Sequence, residues 1–225
     1  MALEIQTIHG LGREFHFVLN SAVDHIQNVI RSGTFYELEE LELIARLVDR
    51  PRRILDVGAN IGNHTVYFAH RFDPELTIPV EPNPIVVPLL RANLGLNWHP
   101  SFDLSLVGYG LADRAGTGTP HLKSEANLGG ARLVAGETGT IPIVRGDDAL
   151  ESTDFDLIKI DVEGMENEVI AGLAGVLRRS EALVFVEVLL GNIDPTMEQM
   201  EALGYVYREA YQRYGRCLNL IFEKA

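Results

Sequence analysis

The chain has 225 residues, 46% hydrophobic and 23% charged, a globular composition well outside the disordered range. Its 32 acidic and 19 basic residues leave a net charge of −13, a field that repels polyphosphate and anionic headgroups, so no nucleic acid is expected as a partner. A single cysteine, Cys217, excludes an internal disulfide, a zinc–cysteine cluster and a Cys-x-x-Cys redox pair, which fits a reducing compartment.

Residues 1–13 carry Glu4, His9 and Arg13 and lack the basic start and apolar stretch of a signal peptide. The greasiest stretch, Ala182 to Leu190, is interrupted by Glu187, so no integral membrane segment is expected and the reading is a cytoplasmic protein. Helical spacing predicts a first helix over Val23 to Ile30, ended by Ser32-Gly33. A second begins at Leu38, with Leu41, Ile44, Ala45 and Val48 on one face and glutamates near its start. Residues 1–50 thus read as an N-terminal helical segment or lid.

From residue 51 strands and helices alternate. Arg53 to Val57 is a strand, followed by a glycine loop and a helix containing Val66, Phe68, Ala69 and Phe72. Leu76 to Val80 is the second strand. Asn83 and Pro84 read as the N-cap and first position of a helix running to about Asn97, with a kink expected at Pro88. Phe102, Leu104 and Leu106 alternate as a third strand. Residues 115–146, rich in Gly, Thr and Pro, read as a small β insertion with strands at Arg132 to Ala135 and Ile141 to Val144. Asp156 to Ile160 and Ala182 to Val188 are the fourth and fifth strands, separated by a helix over Glu166 to Leu177. A helix near Thr196 to Leu203 and two strands, Tyr205 to Ala210 and Cys217 to Phe222, complete residues 51–225. This is an α/β domain: a doubly wound, Rossmann-like, mostly parallel seven-stranded sheet with an antiparallel C-terminal edge strand and helices on both faces. In such sheets ligands lie beyond the carboxyl ends of the strands.

The first strand ends in Asp56-Val-Gly-Ala-Asn-Ile-Gly-Asn-His-Thr65, where glycines let the backbone approach a ligand and the next helix aims free N–H groups at an anion. The second strand ends in Val80-Glu81-Pro82-Asn83-Pro84, which places Glu81 about twenty residues beyond Gly58, where an acceptor for a ribose diol belongs. Together they describe a site for an adenosine-containing cofactor. Nicotinamide dinucleotides use the same topology, but the middle glycine of their fingerprint is here Asn60. The loop suits a smaller anion such as a carboxylate, and S-adenosylmethionine offers a ribose diol, an adenine and a carboxylate.

These two motifs, together with Leu157-Ile-Lys-Ile-Asp-Val-Glu-Gly-Met-Glu166, resemble the FkbM-type S-adenosylmethionine-dependent methyltransferases from about Gly33 to Phe222. The resemblance implies the class I methyltransferase fold and methylation of a hydroxyl oxygen on a sugar or natural-product scaffold. It implies that Asp56, Gly58, Ala59, Asn60, Gly62, Asn63 and His64 hold the methionine part, that Glu81 holds the ribose, that Leu111, Ala112 and Asp113 hold the adenine, and that Pro82 and Asn83 also bind the cofactor. The chain departs from the usual pattern at Pro79-Val80, where an aromatic residue commonly precedes the acidic one, and in its compactness.

Three carboxylates at the ends of the fourth and fifth strands, Asp161, Glu163 and Glu187, form the expected catalytic constellation, because methyl transfer to a hydroxyl requires a group to take its proton. Asp161 is also placed to anchor the cofactor's amino group. Asp161 and Glu187 are further candidates to ligate Mg2+, whose preference is for oxygen donors. Tyr36 and Glu37 are read as covering the cofactor from the N-terminal side, Asp147 and Asp148 as helix caps, and Asn127 as facing the acceptor. A small lid suggests a homodimer in which a neighbour completes the acceptor pocket. The competing readings are a non-catalytic cofactor-binding module and an NAD-dependent dehydrogenase. Methylation of nucleobase amines is disfavoured because Asp161-Val-Glu-Gly164 stands where such enzymes carry an Asn/Asp-Pro-Pro-aromatic motif, and a cysteine nucleophile because Cys217 lies in the last strand.

Overall fold

The computed structural model describes residues 3–122, 131–136, 139–213 and 215–225. Its first elements are strands: β1 (Glu4–Gly10) and β2 (Arg13–Leu19) form an antiparallel hairpin, in register from Glu4 opposite Leu19 to Gly10 opposite Arg13. Period-two alternation in β2 turns Phe15, Phe17 and Leu19 inward, where all three are fully buried. Phe35 meets Phe15 and Phe17 edge-on, at centroid distances of 5.0 and 6.0 Å, and ties the hairpin to the next segment. The expected N-terminal helical segment therefore opens as a β-hairpin, and its helices α1 (His25–Arg31) and α2 (Leu38–Leu47) come after it. The Asp24 side chain caps α1 by accepting from the Gln27 N–H at 2.9 Å.

The α/β units that follow are β3 (Arg53–Val57), α3 (Asn63–Phe72), β4 (Leu76–Val80) and α4 (Val87–Leu96). After an excursion through β5 (Gly110–Ala112), β6 (Gly116–Leu122), β7 (Ala131–Ala135), β8 (Ile141–Arg145) and the short α5 (Gly146–Ala149), the chain returns with β9 (Leu157–Ile160), α6 (Glu166–Gly172), α7 (Ala174–Arg179) and β10 (Leu183–Leu189). A 3-10 turn (Leu190–Asn192), α8 (Ile193–Ala202), β11 (Tyr205–Tyr211) and β12 (Cys217–Lys224) finish it.

Among the described residues the central sheet has six strands in the order β11-β12-β10-β9-β3-β4. β4, β3, β9 and β10 are parallel, and β12 runs antiparallel between β10 and β11. Alternation sorts the two faces. Ile54, Leu157 and Leu183 pack among the residues of the hairpin and α2–α4, whereas Leu55, Val57, Ile158 and Ile160 pack against α6–α8.

Three expectations are corrected here. The sheet is six-stranded, because the segment around Phe102 to Leu106 touches β4 only through isolated bridges, Phe102 to Thr77 and Val107 to Glu81, and forms no ladder. The antiparallel strand β12 is internal, and the edge strand on that side is β11, since β12 pairs with β10 along one side and with β11 along the other. The helix expected from Pro84 begins at Val87, with Asn83 Oδ1 accepting from the Ile85 N–H at 3.0 Å. Pro88 thus lies in its first turn, where its missing donor breaks no helical bond, and the expected kink is unnecessary.

The insertion forms a separate four-stranded sheet, β5-β8-β6-β7, which includes Leu111 and Ala112 as strand residues. Asn127 lies outside the described residues. Asp147 does act as a cap, but for α7: its Oδ1 accepts from the Val176 N–H at 2.9 Å.

The insertion sheet is pressed onto the main domain through Gly172, where an added Cβ would stand 2.0 Å from the Ala112 carbonyl oxygen. Gly172→Ala is therefore expected to lower stability by about 1–3 kcal/mol, as overpacking against backbone does. Urea denaturation checks this, and a variant as stable as the wild type contradicts the close approach.

Candidate active site

The ends of β3, β4, β9 and β10 open into one cavity of about 550 Å3. Gly58 begins its floor. It has φ +82°, and a Cβ there would lie 1.8 Å from the Asp161 carbonyl oxygen, so only glycine lets the loop pass across β9. The Gly58 and Ala59 N–H groups both donate to the Val80 carbonyl, at 2.9 and 3.0 Å, and bind the loop to β4.

Glu81 stands at the end of β4, 6% exposed, and each of its oxygens accepts one backbone N–H, from Asn60 and from Asn83, both at 2.8 Å. Asn60 reaches this position in the left-handed region, φ +51°. Burial raises the Glu81 pKa to about 7 despite those two donors. Each oxygen retains capacity for a further donor, and Glu81 lines the cavity.

Beneath the cavity lies Lys159, 2% exposed, its Nζ 3.3 Å from Asp56 Oδ1, 3.7 Å from Asp161 Oδ2 and donating to the Gly58 carbonyl at 3.2 Å. Burial opposes the ammonium, but Asp56, Asp161 and Glu37 outweigh it and push its pKa above the ordinary lysine value. Asp56 is fully buried, and its other oxygen accepts from the Thr65 hydroxyl at 2.6 Å. Burial lifts Asp161 to about 6, with Lys159 pulling the other way and the charges of Glu37 and Glu163 adding to the rise. Glu187 is pushed up to about 9, first by burial and then by Asp161, Glu37 and Glu163; the Cys217 thiol hydrogen-bonds it and is itself pushed up to about 12 by burial and by Glu187.

The N-terminal segment forms the opposite wall through His25, Ile26 and Tyr36. Asn63 clamps Tyr36, accepting from its N–H and donating to its carbonyl, both at 2.9 Å. Glu37, in the left-handed region at φ +56°, lies 3.4 Å from His64 Nε2 with both side chains buried. Burial works against the Glu37 carboxylate, but His64, Tyr36 and Lys159 together bring its pKa below the usual value.

Of the residues singled out in the sequence, Tyr36, Gly58, Asn60, Glu81, Pro82, Leu111, Asp161, Glu163 and Glu187 line the cavity. Glu37, Asp56, Ala59, Gly62, Asn63, His64, Asn83 and Ala112 are buried outside its lining, and Asp113 is exposed outside it. Of these, Asn63 braces Tyr36, which reaches the cavity, whereas Asp56 holds Lys159 beneath it and His64 pairs with Glu37 behind it. Lys159, His25, Met165 and Arg216 belong to the site and were not picked out. The lysine had a signal: a charge in the middle of a four-residue apolar strand, opposite Asp56 in the β3–β9 register. Arg216 had none, because only the placement of β12 beside β10 brings it to the cavity. Among the described residues no group of three or more His, Cys, Asp or Glu side chains is arranged to hold a metal, and Asp161 faces an ammonium, so the Mg2+ expectation finds no support in the donor geometry. No helix among the described residues is long and apolar enough to cross a membrane.

A mostly parallel α/β sheet with a glycine loop, an acidic residue at the next strand end and a cavity beyond the strands' carboxyl ends is the arrangement of the ligand-binding doubly wound folds. The methyltransferase FkbM domain matches residues 56–207, and the chain belongs to that family. It is 28% identical over 170 residues to the hexuronic acid methyltransferase AglP of Haloferax volcanii, a match covering 71% of this chain and 64% of that protein. The chain thus spans less than two thirds of the length of this curated relative. In fold it is similar to the precorrin-6y C5,15-methyltransferase of Geobacter metallireducens, with a TM-score of 0.52 and 16% identity over 85% of this chain and 92% of that one. It is also similar to the tRNA m1G37 methyltransferase of M. jannaschii, with a TM-score of 0.55 and 14% identity over 99% of this chain and 54% of that one.

Two outcomes follow from the site's electrostatics. The folded-state pKa of Glu187 is raised from 4.5 to about 9, so between these values the native state holds more protons than the unfolded chain and stability falls as pH rises. Glu187→Gln is expected to raise Tm by about 5 °C at mildly alkaline pH, with the gain vanishing below the ordinary glutamate range; thermal melts across pH check this, and equal melting above neutrality contradicts it. Lys159→Met should cost about 3–5 kcal/mol, because it strands Asp56 as a buried charge. Urea denaturation of Asp56→Asn/Lys159→Met should recover part of that loss, and a double variant no better than the single contradicts the pairing.

Proposed function

We propose that this chain is an S-adenosylmethionine-dependent O-methyltransferase acting on a hydroxyl of a sugar or related small-molecule acceptor. The observation that carries the reading is the cavity itself: one pocket holds Glu81, anchored by two backbone donors beside the Gly58–Asn60 loop, and three further carboxylates, Asp161, Glu163 and Glu187. Such a donor set suits a ligand that offers a ribose diol and carries ammonium and sulfonium charges.

The cofactor supplies an electrophilic methyl on sulfur; the protein's task is to hold the acceptor oxygen in line with it and to receive the hydroxyl proton. Glu81 would accept from the ribose hydroxyls. Asp161, kept over Lys159, would take the cofactor's ammonium, and Leu111 with Pro82 would pack against the base. Glu187, bonded to the Cys217 thiol on the far strand, and Glu163 are the groups on the acceptor side that receive the proton. Glu187, whose pKa is pushed up to about 9, would become a proton acceptor once a neighbouring positive charge lowers that value. Residues 1–50 act as the lid through His25 and Tyr36. The sugar acceptor is supported by the likeness to a hexuronic acid methyltransferase, and the net charge of −13 favours a glycan or small molecule over nucleic acid.

Incubation with methyl-labelled S-adenosylmethionine and host-cell extract is expected to place label in carbohydrate or small-molecule fractions, stable to mild base as an ether is. Label confined to protein or nucleic acid contradicts the acceptor class. Glu81→Ala is expected to weaken cofactor binding by at least about tenfold, the worth of hydrogen bonds to a charged acceptor, as read by calorimetry; unchanged affinity contradicts the ribose assignment.

A further inference from the structure

We propose that Arg216 is the receptor for a negatively charged group on the acceptor, so that the chain methylates an acidic sugar of the uronic acid class. The inference rests on reading the cavity as the methyl-transfer site and adds what the acceptor must carry. Arg216 is the one arginine or lysine among the described residues that line the cavity, whose other ionisable walls include four carboxylates. Its side chain is 59% exposed, and its ion pair with Glu163, at 3.9 Å, leaves most of the five guanidinium donors open. Its backbone is held: the Arg216 carbonyl accepts from the Leu190 N–H at 3.1 Å, and Cys217, next in the chain, pairs with Leu189 in the β10–β12 ladder. Three residues earlier Arg213 bonds Glu40, which is fully buried, and pairs with Glu39 at 3.2 Å, which fixes Arg213 against α2.

The sheet order decides which ligand this guanidinium meets. Glu81 ends β4, and Arg216 precedes β12, four strand positions away in β12-β10-β9-β3-β4. At about 4.8 Å per strand that is about 19 Å across the mouth of the cavity. A cofactor with its ribose at Glu81 and its ammonium at Asp161 occupies the β4, β3 and β9 end. The β10 and β12 end, where Glu187 and Arg216 stand, is left to the acceptor. A carboxylate there finds a planar fork of donors in an otherwise acidic wall, whereas a neutral sugar gains nothing from it.

The test is equilibrium binding in the presence of S-adenosylhomocysteine, which requires no turnover. The probes are the methyl glycosides of glucuronic and galacturonic acid against those of glucose and galactose. The wild-type protein is expected to bind a uronide at least about tenfold more tightly than its neutral counterpart. Arg216→Gln should abolish that preference while leaving S-adenosylhomocysteine affinity within about twofold, and Arg216→Lys should restore part of it. S-adenosylhomocysteine binding without preference for either uronide overturns the inference alone. Loss of S-adenosylhomocysteine affinity in Arg216→Gln also overturns it and assigns the guanidinium to the cofactor's own carboxylate. A wild-type protein that binds neither S-adenosylmethionine nor S-adenosylhomocysteine overturns the methyl-transfer reading, and the inference with it.

Discussion

A lysine ammonium sealed beneath the sheet's carboxyl end organises this molecule. Lys159 lies between Asp56 on β3 and Asp161 beyond β9, and it also holds the Gly58 carbonyl. An isolated charge at that depth would be costly, and three oxygen partners offset the cost. The geometry is thereby shared among elements distant in sequence. Asp56 passes it to α3 through Thr65, Gly58 passes it to β4 through Val80, and Asp161 carries it into the cavity.

Around that centre the backbone is held in conformations that side chains rarely adopt. Among the described residues six non-glycine positions have positive φ, and three of them, Glu37, Asn60 and Glu163, belong to the site. Each aims a polar group that a relaxed chain would direct elsewhere. Asn60 turns its N–H onto Glu81, Glu163 turns toward Arg216, and Glu37 turns toward His64. The strain is supported by packing on both sides: the Phe15–Phe17–Phe35 cluster fixes the N-terminal segment, and Asn63 fastens Tyr36 to the start of α3.

Much of this was legible in the residues. The strands Arg53–Val57 and Leu76–Val80 fall where their apolar runs place them, because both are buried on two faces and carry no competing period. Glu81 and Gly58 announced the cavity through spacing alone. The losses have physical causes. The hairpin was hidden because seven-residue strands at the N-terminus show only three inward apolar side chains in β2, beside a stronger helical signal at Leu38. The segment after His99 alternates like a strand, yet its neighbours make only two bridges to β4. Pairings across the sheet, such as Asp56 with Lys159 or Leu189 with Cys217, depend on strand order, which no local pattern encodes.

A cavity in which Glu81, Asp161 and Glu187 have raised proton affinity suits a cationic nucleoside. Calorimetric titration with S-adenosylmethionine and with S-adenosylhomocysteine, in buffers of different ionisation enthalpy across the window set by Asp161 and Glu187, about pH 6 to about 9, tests it most directly. The two ligands share the amino-acid and adenosine parts, so their difference isolates the sulfonium charge. S-Adenosylmethionine is expected to release more protons on binding and to gain affinity relative to S-adenosylhomocysteine as pH rises. Equal proton release and a constant affinity ratio would contradict it.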